Sequence, residues 1–240
     1  MPRFYRKLKR LIVNSWAWAH DYIYASYRQT NGFLARADER RYLSPTLTSH
    51  ATKTPILLIP GVYENWRFMK PVADVLYRKG HAVHVVSSLG YNIGDVESMA
   101  AIVQSYAERH KLESYIVVAH SKGGLVGKYL LTAMPANQIR GVVALNSPFA
   151  GSRYAYLLPF RTLRVFLPNS PILSTLAANT IVNRRIVSIY GVFDPHIPKG
   201  SYLEGAKNVQ LRTRGHFKIM KDRRVHEAIL EAIQYLEYDV

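Results

Sequence analysis

The stretch "SYIVVAHSKGGLVGKYLL", residues 114–131, passes from a run of β-branched apolar residues directly into a helical pattern. Its first half reads as a buried strand and its second as a helix. The changeover falls at Ser121, with Ala119 two positions before it and Gly123 two positions after it. A turn this sharp forces its middle residue into a strained backbone conformation and brings neighbouring backbones close together. Only small residues fit two positions either side. The expected result is a serine hydroxyl raised above the C-terminal edge of a sheet, with a helix N-terminus pointing at it. The alternative reading of Ser121 is a helix N-cap, a position that serine favours.

Outward from this stretch the same rhythm repeats. "TPILLIPGV" (54–62) is a short apolar strand ended by a Pro-Gly turn, and "NWRFMKPVADVLYRKG" (65–80) is a helix with a glycine stop. "HAVHVVSSLG" (81–90) reads as a strand, and residues 95–111 as a helix with Asp95 as its cap. Further strands are expected at 139–148, 184–195 and 208–215, and an amphipathic helix at 223–239. The strands are continuous Val/Ile/Leu runs without in/out alternation, which predicts an α/β fold: a mostly parallel sheet with helices on both faces. Residues 149–183, rich in Tyr, Phe, Leu, Pro and Arg, break the rhythm and read as a lid-like insertion over one end of the sheet. Its Arg153, Arg161 and Arg164 suit lipid headgroups or a substrate carboxylate, or simply a solvated surface.

The chain has 240 residues, about half apolar and a fifth charged, enough for one sizeable core. It contains no cysteine, which excludes disulfides, Cys-ligated zinc and a thiol nucleophile. The net charge of +16 favours anionic partners such as membrane surfaces or polyanions. A nucleic-acid role is not expected, because no recognition helix, zinc or RNP-like motif accompanies the dispersed charge. The N-terminus opens basic and turns apolar and aromatic, with Leu8, Leu11, Ile12, Trp16, Ala19 and Ile23 near helical spacing. Asn14, Ser15, His20 and Asp21 interrupt it, so neither a signal peptide nor a membrane-spanning helix is expected. A basic amphipathic helix remains, either packed on the domain or lying in a membrane interface. The expected organisation is this helix with a polar linker over residues 1–45, the linking stretch beginning near 28, and the α/β domain over 46–240.

The motif A-H-S-K-G at 119–123 is a form of the G-x-S-x-G nucleophile elbow. With these residues the chain resembles the α/β-hydrolases, most closely the esterase and lipase branch whose elbows read A/G-H-S-x-G-G. The resemblance covers about 54–237. It implies a nucleophile at Ser121, followed in chain order by an acid and then a histidine. Only His196, His216 and His226 follow Ser121. His216 stands directly after the last expected strand, where Gly215 lets the chain turn, and is the expected base. Asp194, ending the strand in "IYGVFDP", is the expected acid, with Glu204 its competitor and a self-capping Asp-Pro turn the structural alternative. The resemblance further implies an oxyanion hole from the backbone N–H groups of Lys122 and Val62. Pro60 stands where the family has histidine in its H-G segment, and Lys122 where it more often has an apolar residue.

The function implied is a serine hydrolase acting on carboxylic esters, with hydrophobic acyl or lipid-like substrates favoured by the apolar insertion. The alternatives are an acyltransferase on the same residues and a non-catalytic membrane- or polyanion-binding protein. No cofactor or metal is called for. The expected location is cytoplasmic, with association to an anionic membrane surface through the N-terminal helix.

Overall fold

A computed structural model describes residues 3–34, 38–43, 53–135, 138–157 and 159–238. Of the expected linking stretch, residues 35–37 and 44–45 lie outside them, as do residues 46–52. The chain opens with one long helix, α1 (Arg3–Leu34), which continues through the polar residues from 28 onward. It does so because Arg28 and Gln29 find partners on the domain: Arg28 donates to the carbonyl of Arg67, and Gln29 Nε2 to that of Tyr63 at 2.8 Å.

The sheet follows as β1 (Ile56–Ile59), β2 (Val83–Val85), β3 (Tyr115–His120), β4 (Ile139–Leu145), β5 (Ile186–Phe193) and β6 (Lys207–Arg214). The strand order is β2-β1-β3-β4-β5-β6, and every pairing is parallel. Between the strands lie α2 (Lys70–Arg78), α3 (Val96–Arg109), α4 (Lys122–Ala133) and α5 (Pro171–Ala178), and α6 (Arg223–Tyr238) closes the chain. Leu57 and Ile59 pack into the core beneath α3 and α4, while Ile56 and Leu58 pack into the core shared with α2 and α6. Both faces are covered, which is why the central strands carry no polar alternation.

Two expected elements are modified. The expected strand 81–90 is regular only at Val83–Val85, because residues 87–89 wind into a 3-10 turn that ends at Gly90 with φ 54°. The expected helix 65–80 begins as a 3-10 turn capped by the Asn65 side chain, and α2 starts where Pro71, lacking an N–H, fits a first turn. The insertion at 149–183 is built from short 3-10 segments and α5.

The chain leaves β1 toward β2 on one side and returns to β3 on the other. The β1/β3 boundary is therefore the topological switch point, where loops at the carboxyl ends of strands part and leave a crevice. Ser121 follows β3 and Val62 follows β1, so both lie at that crevice.

Candidate active site

β3 ends at His120 and α4 begins at Lys122, so Ser121 alone makes the turn. It does so at φ 51°, ψ −121°. Holding a non-glycine residue there costs about 1–3 kcal/mol and requires a surrounding structure that over-determines it. The Ser121 N–H donates to the Leu145 carbonyl at 2.9 Å, and Gly124 N–H donates to the Ser121 carbonyl at 3.0 Å. Gly123 is forced by contact: a Cβ there would lie 2.3 Å from the Ile59 oxygen and 2.8 Å from the Pro60 oxygen. Ser121 makes no capping bond to α4. Its Oγ instead lies 3.0 Å from His216 Nε2.

His216 comes from the loop after β6 and Asp194 from the loop after β5. His216 Nδ1 lies 2.7 Å from Asp194 Oδ2. Asp194 makes both sets of contacts, on different oxygens. Oδ1 caps its own turn, accepting the N–H groups of His196 at 2.7 Å and Ile197 at 3.1 Å, while Oδ2 faces the imidazole. Burial alone would raise the Asp194 carboxyl, but the neighbouring His216 imidazole, its hydrogen bond and the His196 contacts hold it below 3.8. Burial likewise disfavours the His216 imidazolium, but the Asp194 carboxylate, then Glu64 and Asp21, outweigh it and hold the ring above its ordinary 6.5. The competitors stand apart. Glu204 is exposed. His226 Nε2 donates to the Met220 carbonyl at 2.8 Å. His196 lies against His216, with ring centroids 4.8 Å apart, and burial then repulsion from His216 depress it to about 3, so it stays neutral.

Sequence reading misses the groups that hold the His216 loop. Asp21 of α1 is fully buried, and its Oδ2 accepts the His216 N–H at 2.7 Å. Its Oδ1 accepts the N–H groups of Phe217 at 2.9 Å and Lys218 at 2.8 Å. Burial pushes Asp21 above 3.8, and these donors offset the push only in part. Gly215 has φ 109°, and a Cβ there would lie 2.5 Å from Asp21 Oδ1. On the other side, the His216 carbonyl accepts from Asn146 Nδ2 at 3.1 Å and from His120 Nε2 at 3.0 Å. His120 Nδ1 in turn faces Glu64 Oε2 at 2.9 Å, and the same oxygen accepts the Gly61 N–H at 2.7 Å. The residue before Ser121 thus links the histidine loop to the loop after β1.

No family model matches the sequence, and no curated protein does. Solved structures do match. A lipase from Bacillus licheniformis, BlEst2, superposes with a TM-score of 0.61 at 16% identity, covering 80% of this chain and 96% of that one. A carboxylesterase structure from the thaumarchaeon Nitrososphaera gargenis gives a TM-score of 0.58 at 11% identity, over 78% of this chain and 92% of that one. A thermophilic esterase from Thermogutta terrifontis gives 0.55 at 14% identity, over 81% and 97%. The fold is that of the α/β-hydrolases.

In this α/β-hydrolase frame a cavity of about 620 Å³ opens beside Ser121 and His216. Val62, Phe68, Leu163, Phe166, Ile197 and Phe217 supply apolar walls. Leu163 and Phe166 come from the insertion, and Tyr22, Ser26 and Gln29 of α1 form a further wall. Val62 lines the same cavity as Ser121, and the Lys122 backbone opens α4 directly after it. The Lys122 side chain turns away and is fully buried, donating to the carbonyls of Asn92, at 2.9 Å, and Gly94. Burial, offset in part by Asp95, lowers its ammonium to about 8. Its role in sequence, an odd charge beside the serine, becomes a tie between the elbow and the 92–94 loop. No cluster of His, Cys, Asp and Glu among the described residues is arranged to hold a metal ion.

Proposed function

We propose that this protein is a serine hydrolase that cleaves carboxylic esters, with a hydrophobic acyl group in the 620 Å³ cavity. The observation that carries the reading is Ser121 Oγ, 3.0 Å from His216 Nε2 on a strained elbow, with Asp194 Oδ2 2.7 Å from the opposite ring nitrogen. The Asp194 carboxylate fixes the proton on His216 Nδ1, which leaves Nε2 as the acceptor facing the serine. Ser121 Oγ attacks the ester carbonyl carbon as its proton passes to Nε2. The carbonyl π pair moves onto oxygen, where the backbone N–H groups of Val62 and Lys122 receive it. Collapse expels the alkoxide, which takes the proton from Nε2 and leaves an acyl-Ser121. Water then gives a proton to Nε2, attacks the acyl carbon through a second oxyanion, and releases the carboxylic acid as Ser121 recovers its proton.

The apolar walls support a hydrophobic acyl chain, and the volume lies within the range of small-molecule sites. The test is turnover of p-nitrophenyl esters across acyl chain lengths, together with labelling by a fluorophosphonate. Wild type is expected to hydrolyse them and to label at Ser121, and Ser121→Ala to do neither. Folded wild type that neither labels nor turns over an ester of any length would sink the reading.

A further inference from the structure

Helix α1 docks on the domain by a face that joins polar side chains to Tyr24, which is buried against Phe68. Asn14 Oδ1 accepts from Arg214 Nε at 3.3 Å, Asp21 holds the His216 loop, and Arg28 donates to the Arg67 carbonyl. Residues 14, 21 and 28 recur every seven positions and share one face. At about 100° per residue, Tyr5, Leu8, Ile12, Trp16, Ile23 and Tyr27 fall in an arc of about 100° on the opposite side. Each of these six is between 44% and 65% exposed. An amphipathic helix packed on a globular domain turns its apolar face inward. This one buries Tyr24 but also turns apolar side chains outward, as a stripe about 33 Å long from Tyr5 to Tyr27. Exposed apolar surface of this extent, with no partner among the described residues, marks an interaction face.

Charge identifies the partner. Arg3, Arg6, Lys7, Lys9 and Arg10 precede or interleave the start of the stripe, and the only acidic residue of the helix is Asp21, buried on the far side. The whole chain carries +16. Pairing two copies along this helix would bring like charge together, whereas an anionic lipid surface complements it. Tryptophan, tyrosine and isoleucine on a basic helix suit the boundary between headgroups and acyl chains. We infer that α1 docks flat on an anionic lipid bilayer through the stripe Tyr5, Leu8, Ile12, Trp16, Ile23 and Tyr27. Tyr22 and Gln29, which flank the cavity, lie about 90° around the helix from the stripe. Docking therefore brings the cavity mouth beside the lipid surface. The docking itself does not rest on the hydrolase reading, because it needs no chemistry at Ser121.

The experiment is sedimentation of the full chain with vesicles of equimolar phosphatidylglycerol and phosphatidylcholine, and with phosphatidylcholine alone. Wild type and Ser121→Ala are expected to bind the anionic vesicles equally, and to bind them better than the neutral ones, with binding weakened by salt. Ile12→Glu and Ile23→Glu are each expected to lower the partition coefficient by about tenfold, the loss of one large buried apolar side chain. Circular dichroism and thermal melting verify that these variants fold, and turnover of a soluble short ester is expected to stay at the wild-type value. Equal binding to neutral and anionic vesicles, or folded variants that bind like wild type, would overturn the inference. So would a dimer seen by light scattering that Ile23→Glu dissolves in a protein that ignores vesicles, which would assign the stripe to a second copy. Ester turnover without vesicle binding removes this inference and leaves the hydrolase reading standing. Vesicle binding without turnover does the reverse.

Discussion

Two buried carboxylates converge on His216 from opposite ends of the chain. Asp194, 22 positions away, touches the imidazole ring, and Asp21, 195 positions away, touches only the backbone of the loop that carries it. In the proposed reaction Asp194 acts on the proton, fixing which ring nitrogen bears it and stabilising the charged ring. Asp21 acts on geometry, gathering three successive N–H groups so that the ring can stand only in one place. Burial raises both, but their net shifts are opposite. The neighbouring imidazoles and their hydrogen bonds bring Asp194 below its ordinary value, whereas burial keeps Asp21 above it. On the proposed function the site separates chemistry from support, and the support comes from a helix outside the sheet.

Substitution should break the two apart by size and by pH. Asp194→Asn is expected to lower kcat by about 10⁴-fold, since the amide favours the wrong tautomer of the base. Asp21→Asn leaves the tautomer intact but gives up one of the two acceptor oxygens, so the loop loosens. An expected loss of about tenfold to a hundredfold in kcat follows from misplacing the base by a fraction of its working distance. Steady-state kinetics on a soluble ester read both. If Asp21→Asn matches Asp194→Asn, the division between chemistry and support is wrong.

The pH profile sharpens the contrast. In the proposed reaction His216 must be neutral to accept the serine proton, and its surroundings hold it above 6.5. As pH falls through that raised value the ring takes a proton and activity is lost, so the acid limb of kcat/KM should lie above pH 6.5. Both carboxylates contribute to raising it, Asp194 more than Asp21. Asp194→Asn should therefore move the limb to lower pH by more than Asp21→Asn does. An Asp21→Asn enzyme with lower kcat and an unmoved limb would leave Asp21 its hold on the loop and remove its part in raising the ring.

The parts of the site differ in how legible they are in the sequence. The elbow is legible because strand, turn and helix are consecutive, so the demand for small residues at 119 and 123 is written locally. Asp194 and His216 are reached through chain order, once the elbow suggests the fold, and through the turn signals beside them. Asn146, His120 and Asp21 contact the His216 loop across 70, 96 and 195 positions, and such contacts leave no local pattern. The sequence carries one hint: Asp21 is the only acid in the helix. In sequence that break argues against a signal-like core; in the structure it is the anchor. Helical spacing likewise offers two placements for α1, packed or interfacial. The structure places Asn14, Asp21, Tyr24 and Arg28 against the domain and leaves the stripe from Tyr5 to Tyr27 exposed, so the choice of one excludes less than the sequence implies.

The smallest expected effect belongs to Glu204, the carboxylate that competes with Asp194 on chain order alone. It lies in the same loop region between β5 and β6, but its side chain is exposed, and it is its backbone carbonyl that accepts Asn183 Nδ2, at 2.7 Å. A side chain in water with no partner near His216 cannot hold an imidazolium. Glu204→Gln should leave kcat within about twofold and change stability by no more than about 0.5 kcal/mol, as exposed substitutions do. Kinetics and thermal melting of this variant beside Asp194→Asn complete the comparison. A large loss of kcat in Glu204→Gln would mean that the loop after β5 rearranges when substrate binds, and that the acid paired with His216 in the free protein is not the one that works.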